Sequence, residues 1–143
     1  MTALADASAE IGLMAHLESL ADGIQIVWPN TEPYQPDLED SYYRVSFLAV
    51  PSTRLGFGNA DEHKGLLQID CVVPVKTGML PALVMARRIQ SHFDRQNIIE
   101  NGVKVQIIEA PSIEPHQYIS LNEKTTRSNW YMIPVSIVYS IMN

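Results

Sequence analysis

This sequence predicts an α+β fold: a mostly antiparallel mixed sheet with two helices packed on one face. Three observations carry that expectation. Two segments repeat apolar residues at intervals of three and four, the period of a helix buried along one side. Several others alternate apolar and polar residues, the period of a strand with one covered face. Their order is helix, three strands, helix, three strands, which groups strands instead of alternating them with helices. At 143 residues, 46% hydrophobic and 18% charged, the chain fits one domain, 1–143, with a single core.

Residues 3–21 form the first predicted helix, with Ile11, Leu13, Met14, Leu17 and Leu20 at helical spacing. Asp6 and Glu10 suit its N-terminal dipole, and Gly23 ends it. In the strand 24–28, Ile24, Ile26 and Trp28 share a face, and Pro29 stops the ladder because it has no N–H. Residues 29–40, PNTEPYQPDLED, carry three prolines and four acids, the composition of a stiffened surface arm. In the strand SYYRVSFLAV, 41–50, Tyr43, Val45, Phe47 and Ala49 face one way, and Tyr42, Arg44 and Ser46 the other. In GLLQIDCVVPV, 65–75, Leu67, Ile69, Cys71 and Val73 oppose Gln68 and Asp70. The connection from Pro51 to Lys64 is fourteen residues long, where hairpins usually use about two to five. It reads as a long flexible inter-strand loop, 51–64.

The second helix spans 78 to about 96, with Pro81 in its first turn. Its stripe is Met79, Ala82, Leu83, Ala86, Ile89 and Phe93. Asn101-Gly102 makes a turn before the strand 103–110. PSIEPH is a break, 117–121 a short strand, and NEKTTRSN a polar loop. The last strand, 130–141, lines Tyr131, Ile133, Val135, Ile137, Tyr139 and Ile141 on one face. Pro134 inside it implies an edge position or a bulge.

Charge and reactive side chains exclude several functions. A net charge of −6 with ten scattered Lys and Arg argues against a dedicated nucleic-acid binder. Cys71 stands alone, so no disulfide or Cys-based zinc site is expected. The first thirty residues hold no Lys or Arg, unlike a signal peptide. No apolar run approaches the ~20 residues that span a bilayer, so the chain reads as soluble and made in a cytoplasm, with no membrane contact.

The stretch LGFGNADEHKG, 55–65, most resembles a place for chemistry. A phosphate loop, however, leads from a strand into a helix N-terminus. Gly56-Phe57-Gly58 leads instead to acids and another strand. Asp61, Glu62 and His63 are adjacent, so on an extended backbone their side chains diverge. His16, His92 and His116 show no ligand spacing, and His92 and Asp94 point about 200° apart on a helix. No Gly-x-Ser-x-Gly elbow occurs, and Cys71 faces the core. Neither an enzyme, a metal nor a cofactor is expected.

What remains is surface that a monomer would not need: two long polar loops, the proline arm, and Trp28, Tyr34, Tyr42 and Tyr43 near them. Aromatics at such places suit protein contacts, although covering a core edge would explain Tyr34 and Tyr42 equally well. The expected assembly interface comprises Tyr34, Tyr42, Arg54, Phe57, Asp61, Glu62 and His63.

The segments IVWPNTEPYQP, YYRVSFL, GLLQIDCVVP, ARRIQSHF and WYMIPVSIVYSI, in this order over residues 22–141, resemble the phage tail terminator-like proteins. That resemblance implies a structural virion protein of a long-tailed phage or prophage, located at the head-proximal end of the tail and made in the host bacterial cytoplasm. It implies a ring, usually a hexamer, that caps the tail tube protein, ends polymerisation and meets the head–tail connector or neck protein. DNA would pass through the acidic lumen without specific binding. The loop 51–64 would be mobile in the free subunit and order on docking. The alternatives are a head-completion or neck connector protein, and a small-ligand-binding cytoplasmic domain, which would need a closed apolar pocket.

Overall fold

The computed structural model describes residues 7–20, 23–29, 41–49, 53–54, 61–75, 77–100, 102–119 and 130–142. In chain order the elements begin with α1 (Ser8–Glu18), β1 (Gln25–Val27), β2 (Tyr42–Ala49), β3 (Thr53–Arg54) and β4 (Asp61–Pro74). Then come α2 (Leu80–Phe93), β5 (Asn97–Glu100), β6 (Val103–Ile107), β7 (Ser112–Ile113), β8 (Gln117–Ile119) and β9 (Trp130–Met142). The sheet runs β1-β2-β4-β9-β6-β5, with β3 beside β4, and β7 and β8 beside β9. Among the described residues, only the β1–β2 pairing is parallel; the others are antiparallel. This is the α+β architecture that the periodicities predict.

The alternation of three strands meets in register and produces continuous rows. Tyr43, Cys71 and Ile133 form one row, Val45, Ile69 and Val135 the next, and Phe47, Leu67 and Ile137 a third. All belong to the cluster that both helices cover. Each fully buried Leu, Ile or Val contributes about 1.5–3 kcal/mol relative to exposure, so these rows and the helices above them hold the fold. From α1, Ala9, Leu13 and Leu17 enter that core at intervals of four. From α2, Ala82, Met85, Ala86, Ile89 and Phe93 do so. Met79, expected on this stripe, instead precedes the helix and is 56% exposed.

Glycine matters at two close approaches. A Cβ on Gly12 would sit 3.0 Å from Ile98 and 3.1 Å from Glu100, so α1 rests tightly on β5. A Cβ on Gly65 would run into the ring of Tyr139, its register partner on β9. The Tyr139 hydroxyl in turn donates to Glu10 Oε1 at 3.2 Å, tying β9 to α1. Burial, then the neighbouring Glu10, hold that phenol well above the usual tyrosine range.

Three findings refine the expectations. Pro134 lies in the central strand and not at an edge: β4 flanks β9 on one side and β6, β7 and β8 on the other. The expected bulge is on the β7–β8 side, where residues 114–116 stand opposite Ile133 and Pro134 and the register steps by one. The Pro134 carbonyl accepts the Glu114 N–H at 2.8 Å. The nitrogen and carbonyl of a strand residue point the same way. The donor-less proline nitrogen therefore faces the interval between β7 and β8, where no ladder bond is lost. Second, the break PSIEPH contains β7, and 97–100, between the expected helix and the expected Asn101-Gly102 turn, is strand β5. Gly102, at φ +80°, makes the β5–β6 turn. Third, residues 61–64 are strand, and Thr53 and Arg54 pair with Glu62 and Asp61. The expected loop 51–64 thus contains a strand pair, and its centre, 55–60, lies outside the described residues.

Candidate functional site

On the helix-free side of the same three strands, the rows read Tyr42–Val72–Met132, Arg44–Asp70–Pro134, Ser46–Gln68–Ser136 and Leu48–Leu66–Val138. The first row is buried, with Trp130 set edge-on to Tyr42 at 5.6 Å and Val27 against the group. The second row carries an ion pair: Arg44 Nε donates to Asp70 Oδ2 at 3.0 Å. Gln68 Nε2 donates to Asp70 Oδ1 at 2.8 Å, so both oxygens of this buried carboxylate are bonded. Arg44 Nη2 also reaches Met132 Sδ at 3.3 Å. A carboxylate with both oxygens occupied and a cation alongside is a structural clamp across β2 and β4, without a free base for chemistry.

Apolar side chains reach the surface further along this face. Leu48 is 48% exposed, beside half-buried Leu66 and Val138. Lys64 and Ser140 pair next. Beyond the end of β2, β4 continues as the β3–β4 extension, where Arg54 stands opposite Asp61 and Thr53 opposite Glu62. His63 pairs in register with Ile141. The fold therefore gathers Arg54, Asp61, Glu62 and His63, each described by its backbone, at one end of the sheet. Tyr42 lies elsewhere, inside the subunit's second core cluster. Tyr34 and Phe57 fall outside the described residues.

Of the four aromatics that stood out in the sequence, the three described ones went inward, and one that did not stand out is exposed. Tyr43 is fully buried and Trp28 packs against the core. Tyr118 on β8 is 61% exposed and sets its ring edge-on to Tyr131 at 5.3 Å, with His116 stacked on Tyr131 at 5.2 Å. Its neighbourhood gave no signal because β8 is too short to show alternation. A groove of about 660 Å³ between the end of α1 and α2 is lined by Leu20, Val84, Arg87, Arg88, Ser91 and His92. It is open to solvent. Among the described residues, no group of three or more His, Cys, Asp or Glu could hold a metal ion. No helix among them is long and apolar enough to cross a membrane.

Both helices cover one side of the sheet, and the other carries the buried Tyr42 cluster, the Arg44–Asp70 pair and, further along, half-exposed Leu48. The chain belongs to the phage tail terminator protein family, whose model matches residues 10–139. That makes it a structural protein of the phage tail. No curated protein matches it. Nine solved chains match it. One, which carries only a serial designation, is 20% identical with a TM-score of 0.69, over 98% of this chain and 94% of its own.

Proposed function

We propose that this chain forms a closed ring, six copies around, that caps the tail tube at its head-proximal end. The ring stops addition of tube subunits and offers its other side to the head–tail connector. Membership of the tail terminator family over residues 10–139 carries this reading. Two features of the subunit support it. The sheet ends in two different strands, β1 and β5, and unlike edges suit the heterologous contacts that close a ring. The Leu48–Leu66–Val138 row lies next to the β3–β4 extension, where Arg54 is in register with Asp61 and Thr53 with Glu62.

In this reading Arg54, Asp61, Glu62 and His63 meet a neighbouring copy or the tube, and Tyr34 and Phe57 belong to the same contact region. The segment 55–60, which joins β3 to β4, takes part in that contact and delays closure until a tube is present. The chain's net charge of −6 gives DNA little to hold as it passes through the lumen.

Electron microscopy of assembled tails tests the proposal. A single ring of this protein at the head-proximal tip, and a six-subunit species by native mass spectrometry, are the expected results. A protein absent from virions and strictly monomeric with tubes present overturns it. Replacing 55–60 by a two-residue turn keeps the β3–β4 pair and should give folded protein with tails of uncontrolled length. Tails of normal length would remove the loop from the mechanism.

A further inference from the structure

The last turns of α1 and α2 meet at two histidines. The His16 and His92 rings stack with centroids 4.1 Å apart and planes inclined by 18°. Each ring reaches the other helix's backbone. His16 Nε2–H donates to the His92 carbonyl at 2.7 Å, and His92 Nε2–H to the His16 carbonyl at 2.6 Å. Both carbonyls lie in the final turn of a helix, where intrahelical donors run out. Ser19 Oγ–H donates to the same His16 carbonyl at 2.5 Å and lies 3.0 Å from His92 Nε2. Phe93 closes the site edge-on to His16 at 4.8 Å. A carbonyl only accepts, so both neutral rings carry the proton on Nε2, and Nδ1 is the atom left to take another.

We propose that this pair is an acid-sensitive clasp, holding α1 to α2 while at least one ring is neutral and releasing α1 when both are protonated. One imidazolium is tolerated, because it strengthens its bond to a helix C-terminal carbonyl. A second places like charges in stacked rings with no water between them.

Among the described residues, neither ring is bonded to a carboxylate. Arg87 and Arg88 line the same groove as His92. On α1, Glu10 is engaged by the Tyr139 hydroxyl, and exposed Glu18 lies two residues from His16, about 200° round the helix. Asp94 caps the end of α2, with its backbone N–H on the Gln90 carbonyl. Burial holds His16 below its ordinary value of 6.5, the His92 charge acts the same way, and the bond to the His92 backbone opposes both. The folded value lies below the unfolded one. The stability this ring gives α1 is therefore fully present above pH 6.5 and lost as pH falls through the lowered value.

What opens is local. Ala9, Leu13 and Leu17 leave the sheet, while α2 stays on β4 and β9. Nuclear magnetic resonance of the full chain tests this by following both imidazoles and amide protection between about pH 7.5 and about pH 5. Protection at Leu13 and Leu17 should fall at least about tenfold more than at Ile69 and Val135, in step with the rings. His92→Gln, which keeps an amide donor and loses the charge, should abolish the difference. The proposal is overturned by His16 titrating at or above 6.5, by no selective loss at α1 in the natural chain, or by an equal loss in His92→Gln. If the variant does not fold, the natural chain alone decides through the first two results.

Discussion

On the helix side of the sheet, the row Val45, Ile69 and Val135 is sealed under α1 and α2. One residue along each strand, on the other side, the row Arg44, Asp70 and Pro134 is held by an ion pair and an amide. The two rows share three strands and one backbone ladder. The first gains stability by removing apolar area from water, wherever the neighbours are. The second depends on direction, because Asp70 needs a donor at each oxygen. Towards the β3–β4 end, the helix-free side gives up burial and leaves Leu48 in solvent. One side of the sheet is sealed throughout by apolar packing, and the other passes from a small buried cluster through an ion pair to a half-exposed leucine.

Substitutions that remove one side's support while sparing the other sharpen that division. Ile69→Ala empties space beneath both helices, and a loss of about 2–5 kcal/mol is expected in urea unfolding. Gly65→Ala drives a methyl into the Tyr139 ring and should cost about 1–3 kcal/mol in the same measurement. A neutral result would mean that this ring moves aside easily. Arg44→Ala leaves Asp70 with Gln68 as its one remaining partner among these groups. Because Arg44 is 37% exposed, solvent screens the pair, and about 1 kcal/mol is expected. A loss as large as that of Ile69→Ala would break the comparison. Leu48→Ser should change stability by less than about 0.5 kcal/mol yet reduce ring formation on tubes, read by native mass spectrometry. Full assembly would remove this side of the sheet from the interface.

Much of the helix side was legible because its signal is periodic. Ile133, Val135, Ile137 and Tyr139 needed only alternation to be placed, and Ala82, Ala86, Ile89 and Phe93 only helical spacing. The same alternation put Arg44 on one strand's polar side and Gln68 and Asp70 on the next strand's. Their contact was not legible, because it depends on register. Tyr42 shows the limit of composition: an aromatic beside a polar arm suits a contact surface or a core edge equally well, and burial against Trp130, far away in sequence, decides for the core. The histidine clasp was hidden for a related reason. His16 and His92 are 76 residues apart, and neither helix says which way it crosses the other.

The arm 29–40 gained a second reason for its length. Parallel β1 and β2 need a connection of about a dozen residues to bring the chain back to the same end, whatever else that segment contacts. Local periodicity, and the order in which it occurs, determined the two helices, the long strands and the buried face. Tertiary structure alone decided that β9 is central, that Pro134 faces a gap, and that Arg54 stands opposite Asp61. Those facts are relations between distant segments. Side-chain period is a property of one segment, whereas register and strand order belong to pairs of them.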